Sequence, residues 1–249
     1  MKIGVLSDIH GNIDALNAVL SFYDDAGVDH LVCLGDVVGY GPDPDTCVSI
    51  VRERVRHTVI GNHDAAVSGK MDYAYYYDTA RTALDYHAAL VSPDNKAWLL
   101  SRPFILHDDD RCYSHGSPVS PESFDYVFNL SQARSLLPHW DELAPVTFIG
   151  HSHLTKSYAL AGGIGRSPSV RDLESDSIVF SDSFKYICTV GSVGQPRDND
   201  ARACCTVYDT DERRLTWHRL DYNIGNTARL IFDCPKLSPD FGKRLFLGI

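Results

Sequence analysis

Leu31-Val32-Cys33-Leu34-Gly35-Asp36 is a short apolar run ending on a glycine and an aspartate, followed by the turn Val37-Val38-Gly39-Tyr40-Gly41-Pro42. Such a run reads as a buried strand. Its last residue places a carboxylate at the carboxyl edge of a sheet, where open α/β folds bind their ligands. A single aspartate in that position often does no more than cap the next helix. Here it has company: Asp8-Ile9-His10-Gly11-Asn12, Gly61-Asn62-His63-Asp64, Ser114-His115-Gly116 and Gly150-His151-Ser152-His153 each follow an apolar run of their own.

The segments around this run set the fold class. Residues 2–7 form a buried strand, and Asn12 caps a helix whose inner face is Ala15, Leu16, Val19, Leu20 and Tyr23. Residues 30–34 make a second strand. Pro42-Asp43-Pro44-Asp45 starts a second helix with Cys47, Val48, Val51 and Val55 facing inward, and 58–60 make a third strand. Strand, helix, strand, helix, strand with short connections predicts a parallel sheet covered by helices. Residues 71–101 read as helical, with Ser92-Pro93 starting a second short helix, and Tyr73, Tyr75, Tyr76 and Tyr77 crowd the entrance. Those tyrosines fit either a half-buried packing layer or an aromatic wall for a nucleobase. Strands are expected at 104–107 and 112–115, at 146–149 and at 186–190, with a hairpin of 203–209 and 215–222 around Asp211-Glu212. A helical stretch is expected from Ser120-Pro121 to about Leu137. Residues 162–183 read as a mobile excursion with one short strand at 178–180. The expectation is a single domain over 1–249, with a helical insertion at about 70–101 and a weakly specified tail after about 223.

Bulk composition narrows the partners. With 44% hydrophobic and 22% charged residues, the chain has the balance of a soluble globular protein. No apolar run approaches the roughly 18 residues of a membrane span, and Met1–Leu6 is too short to serve as a signal peptide. Seven cysteines without metal-type or paired spacing suit reduced thiols, so a cytoplasmic location is expected, with no membrane partner. A net charge of −10 argues against a long nucleic-acid track but leaves room for a small phosphorylated substrate held through metal ions.

Asp8-x-His10 and His151-x-His153 share an i, i+2 spacing, which at a strand end points both side chains of a pair the same way, so each pair can address one site. Asp36 reads as a carboxylate shared by two metal ions, with the other four stretches supplying the remaining ligands. Oxygen and nitrogen donors without thiolate favour Mn²⁺, Fe or Zn²⁺ over a structural zinc site.

These five blocks, in this order, resemble those of the calcineurin-like metallophosphoesterases over about residues 2–222. The resemblance implies an αββα sandwich of two mixed β-sheets flanked by helices. It implies that Asp8, His10 and His153 hold one divalent ion and Asn62, His115 and His151 a second, with Asp36 bridging. The ions would be Mn²⁺ and/or Fe, with Zn²⁺ and Ni²⁺ accepted by the same ligands. Two cations roughly 3.5–4 Å apart lower the pKa of a bridging water and clamp phosphoryl oxygens for in-line displacement. The expected activity is hydrolysis of small phosphodiesters, nucleotides or phosphomonoesters by hydroxide attack. Asymmetric cleavage of dinucleoside tetraphosphates and a non-catalytic metal-binding scaffold are the alternatives. His63 is the expected acid, with Asp64 orienting its imidazole. Protein phosphatases of the superfamily carry Asp-Arg-Gly after the bridging block, and this chain reads Gly39-Tyr40-Gly41 there, as in the small bacterial and archaeal phosphodiesterase-like branch. Arg197 could replace the missing arginine as a phosphate clamp, or instead form a loop salt bridge to Asp198 or Asp200. Asn12 and Tyr40 are the other candidate substrate contacts.

Overall fold

The computed structural model describes residues 1–165 and 167–249. In chain order the elements begin with β1 (Lys2–Leu6), α1 (Ile13–Asp25), β2 (His30–Cys33), α2 (Pro44–Arg54), β3 (His57–Thr58) and α3 (Asn62–Ser68). Then come α4 (Asp78–Leu90), α5 (Pro93–Leu100), β4 (Ile105–Asp108), β5 (Arg111–Ser114), α6 (Leu130–Ser135) and β6 (Val146–Ile149). The chain continues with β7 (Ser157–Ala161), β8 (Ser169–Asp172), β9 (Ser177–Val179), β10 (Lys185–Thr189), β11 (Ala203–Asp209) and β12 (Arg214–Leu220), and then α7 (Ile224–Asp233) and α8 (Pro239–Leu247).

The strands make two six-stranded mixed sheets, ordered β3-β2-β1-β11-β12-β9 and β4-β5-β6-β10-β7-β8. Alternation along the strands sorts the core into layers. From β1, Ile3 and Val5 face the second sheet and meet Tyr113, Phe148, Tyr186 and Tyr208. Leu6 faces the other way, among Leu16, Val19 and Tyr23 of α1 and Cys47, Val48 and Val51 of α2. On the outer face of the second sheet, Ile149, Tyr158 and Ile187 pack on Ala133 and Leu136 of the α6 region. The result is the expected αββα sandwich. Parallel pairing of β1 with β2 and of β5 and β10 with β6 brings the carboxyl ends of β1, β2, β5 and β6 to one edge. Four of the five blocks emerge there.

Several local expectations change. The segment before Asp78 is not helical, because Gly69 ends α3 in the left-handed region (φ 80°) and 70–77 run as irregular chain. The stretch 120–137 is not one helix. Ser120 and Phe124 have φ of 50° and 53°, which limits the first part to a single 3₁₀ turn at Pro121–Ser123 before α6 begins. The excursion at 162–183 contributes β8 as well as β9, and β7 precedes it; all three pair in the sheets. The tail is ordered as α7 and α8, with Phe241, Leu237 and Ile231 packed against Tyr40 and Ala83. All seven cysteines are free thiols, six of them buried. Among the described residues, no helix is long and apolar enough to cross a membrane.

Candidate metal centre

Five of the seven expected ligands occupy left-handed backbone: Asp8, His10, Asp36, His151 and His153 have φ between 49° and 65°. Each such non-glycine residue costs roughly 1–2 kcal/mol, and strain of this kind concentrates at functional sites because only a surrounding frame can hold it. The frame is visible. Asp8 and His10 donate their amides to the carbonyls of Gly35 and Asp36, and Gly194 donates to Asp8. Gly61 is obligatory, since a Cβ there would lie 2.1 Å from Oδ1 of Asp36.

The side chains converge into overlapping groups. One ligand atom from each of Asp8, His10 and His153 lies within 4.8 Å of the others, and the same holds for Asp36, His115 and His151 and for His10, Asp36 and His63. Asn62 joins the second group through Oδ1, 3.1 Å from Nε2 of His115. Asp36 sits between the groups: its Oδ2 is 3.3 Å from Nε2 of His115 and 3.8 Å from Nε2 of His10. The i, i+2 reasoning holds for Asp8 and His10 and fails for His151 and His153, which enter different groups. All four residues are left-handed rather than extended, so the strand-end rule that i and i+2 point the same way does not govern either pair.

The imidazoles are set for cations. Nδ1 of His10, His115 and His153 lies 2.9, 2.7 and 2.6 Å from the carbonyl oxygens of Val38, Leu34 and Gln195. A carbonyl only accepts, so Nδ1 carries the proton and, in the neutral rings, Nε2 presents a bare lone pair. Burial holds His10 and His153 well below the usual histidine range, which keeps them neutral. Their two Nε2 atoms nevertheless face each other at 3.1 Å, with Oδ1 of Asp8 at 3.3 Å from His153 and without a hydrogen-bond donor. Three acceptors turned on one point with no proton to share fit a positive ion there. Burial opposes ionisation of Asp36, but His115, His63 and His10 around it hold its carboxyl well below the usual range. Burial, with the Asp36 charge adding to it, pushes Asp8 up to about 7.

His63 is buried beside the centre, with Nδ1 unpartnered and its ring 4.6 Å from Tyr40 and 5.0 Å from His10. Asp64 does not orient this imidazole. Its carboxylate accepts the amides of Val37, Val38 and Gly61 and so fixes the turn that follows Asp36. Asn12 is fully engaged elsewhere: its amide nitrogen donates to Gly194, and its oxygen accepts from Ala15 and from the Thr227 hydroxyl, so it caps α1 and ties in α7. Tyr40 and Arg197 both line a cavity of about 350 Å³ whose floor includes Asp36, Asn62, His63, His151 and His153. The salt-bridge alternative for Arg197 does not occur, because Asp198 is taken by Arg219 and Asp200 by Arg202. Arg197 instead lies over the Tyr40 ring at 5.7 Å and bonds Gln195, with Nε buried and unpartnered.

Three residues at the site escaped the sequence reading, Tyr126, Phe124 and His87, and a fourth, Tyr76, was read only as part of the aromatic run. Tyr126 stacks on His151 at 3.8 Å and 15°, and Phe124 stands edge-on to His115. The Tyr76 hydroxyl accepts from the amide nitrogen of Asn62 at 2.8 Å. His87 of α4 accepts the Gly39 amide at Nδ1 and donates from Nε2 to the Gly41 carbonyl, and so clamps the turn that carries Tyr40. Only the tyrosine run signalled its presence in the sequence; Tyr126, Phe124 and His87 have neighbours of no distinctive composition.

A two-sheet sandwich with carboxylates and imidazoles gathered at one edge defines a metallophosphoesterase type of centre. The model of the calcineurin-like phosphoesterase family matches residues 1–188, and the chain belongs to that family. An uncharacterized protein of Methanocaldococcus jannaschii is 32% identical over 250 residues, covering 99% of this chain and 98% of that protein. The crystal structure of a metallophosphoesterase from Sphaerobacter thermophilus is similar, with a TM-score of 0.81 and 34% identity over 100% of this chain and 99% of that one. A hypothetical protein from Pyrococcus horikoshii OT3 shares the fold, with a TM-score of 0.76 and 17% identity over 100% of this chain and 98% of that one.

Proposed function

We propose that this chain is a dinuclear metal-dependent phosphohydrolase of small phosphodiesters, nucleotides or phosphomonoesters. The observation that carries the reading is the apposition of three acceptors, His10, His153 and Asp8, next to Asp36, His115 and Asn62, beside a cavity lined by an arginine without a carboxylate partner among the described residues. Asp8, His10 and His153 would hold one divalent ion and Asn62, His115 and His151 the other, with Asp36 touching both. Mn²⁺ or Fe fits this donor set best. Bound there, the pair would supply a water of lowered pKa and charge compensation for the phosphoryl oxygens.

The chain's own groups complete the reaction. Arg197 offers its guanidinium to the phosphoryl group entering the cavity, in place of the arginine absent from Gly39-Tyr40-Gly41. His63 stabilises the charge developing on the leaving oxygen and delivers a proton to it. Burial lowers the His63 pKa, so the ring is a strong donor once protonated. Tyr40 and Phe124 supply apolar wall to the cavity.

The test is turnover of bis-p-nitrophenyl phosphate, p-nitrophenyl phosphate, cyclic nucleotides and dinucleoside tetraphosphate after metal stripping and reloading. Activity lost with EDTA and restored by Mn²⁺ supports the reading. Two bound ions per chain with no turnover of any of these substrates would favour a scaffold instead.

A further inference from the structure

Tyr75 and Tyr77 stand at the mouth of the cavity with 74% and 57% of their surface exposed, on the irregular segment between Gly69 and α4. Exposed aromatic rings grouped around a concave site mark binding surface more often than packing. Packing does not account for these two. Tyr75 touches Tyr76 edge-on at 5.0 Å and its hydroxyl reaches Met71 Sδ at 3.9 Å, contacts that leave its outer face open, and among the described residues no ring stacks on Tyr77. The segment is nevertheless held in place: Tyr73 bonds Asp85 of α4 at 2.7 Å, and Tyr76 bonds Asn62 at the metal centre at 2.8 Å. Tyr126 faces the same cavity, backed by His151.

The cavity therefore has a polar floor for phosphate, with Arg197 beside it, and an aromatic rim within the same volume of about 350 Å³. That volume lies within the roughly 300–1,000 Å³ typical of sites for compact organic ligands. We infer that Tyr75 and Tyr77 form a ring-stacking subsite, so that the preferred substrate is a phosphate ester carrying a planar aromatic ring, a nucleotide rather than an alkyl or sugar phosphate. This rests on the phosphoesterase reading above and adds a substrate class to it. Base–aromatic stacking contributes about 1–3 kcal/mol per base and tolerates any base, because every base has a π-face. The subsite selects for a ring and not for its identity.

The test compares adenosine 5′-monophosphate with ribose 5-phosphate, which share the phosphate and sugar and differ in the base, by calorimetric titration of the Mn²⁺-loaded protein. The nucleotide is expected to bind about 5–150-fold more tightly, as 1–3 kcal/mol of stacking requires. In the double variant Tyr75→Ala/Tyr77→Ala the ratio falls toward one. In Tyr75→Phe/Tyr77→Phe, which keeps both rings, it survives. Both positions are exposed, so the substitutions leave the core intact. Equal binding of the two phosphates by the wild type, or a ratio that persists in the double alanine variant, overturns the subsite while leaving the phosphoesterase reading standing. Failure of both phosphates to bind, together with no turnover of bis-p-nitrophenyl phosphate, overturns both.

Discussion

Removing the metal ions is expected to destabilise the fold by an amount that counts the sites. The ligands are buried and assembled from positions 8 to 153, so the unfolded chain offers no comparable site, and a ligand bound only by the native state stabilises it by RT ln(1 + [L]/Kd). At free metal 100 times the dissociation constant this is about 2.7 kcal/mol per site, or about 5 kcal/mol for two independent sites. For a chain of this length each kcal/mol moves the melting temperature by about 2–4 °C. Stripped protein titrated with Mn²⁺ and followed by thermal melting should therefore gain about 10–20 °C. Asp36→Ala removes the carboxylate common to both groups and should abolish most of the gain. His153→Ala, confined to one group, should abolish about half. Asp8 and Asp36 lie close together in the stripped protein, and repulsion between them adds to the deficit. A melting temperature unmoved by stripping and by Mn²⁺, Fe, Zn²⁺ and Ni²⁺, or equal losses from both substitutions, would refute the two-site reasoning.

Other outcomes follow from individual contacts. Tyr76→Phe deletes one hydrogen bond to Asn62 and should weaken one metal site about 10-fold with little change in the stability of the stripped protein; calorimetric titration with Mn²⁺ reads it. His63→Ala should lower kcat by about 10² or more with metal content unchanged, and full turnover would remove His63 from the chemistry. Arg197→Ala removes a charge-assisted contact of about 1.5–3 kcal/mol and should reduce kcat/KM by about 10–150-fold. Burial pushes His87 down to about 3 in the folded protein. The native state then holds fewer protons than the unfolded chain below pH 6.5, so stability is full above 6.5 and is lost as pH falls toward 3. The His87 share of that loss is about 2 kcal/mol between pH 6.5 and 5, and urea titrations across this window should show a slope flatter by about one proton in His87→Gln.

What could be read from the residues alone was whatever depends on local pattern. The first 60 residues were legible because helix and strand periodicities, Asn12 at the helix start and Pro44 inside the next agree with one another. The blocks were legible as ligands because glycine and aspartate flank histidine at strand ends. Backbone sign was not. Asp8, His10, His151 and His153 are all left-handed, so a spacing rule built on extended strands could not tell that the first pair shares a group and the second divides. Asp64 was misassigned for a related reason: adjacency in sequence suggested His63, while its carboxylate turns back to three amides of the Val37 turn and of Gly61. β8 was missed because three of the four residues of this edge strand are exposed and leave little apolar alternation to read, and β7 because its residues, four of the five buried, are mostly small. The helical tail went unread for want of the surface it covers, which includes Tyr40.

The seat of β1 in its sheet has a consequence for how the protein is made. On one side it pairs with β2, where Ile3 lies opposite His30, but on the other Ile3 lies opposite Tyr208 of β11. A ribosome adding about 5–20 residues per second needs about 10–40 s to supply that second neighbour. During that interval the strand leading to Asp8 and His10 keeps one flank of unpaired amides and carbonyls, which invites contact with other nascent chains. Crowded polysomes are therefore where this chain is most exposed to mispairing.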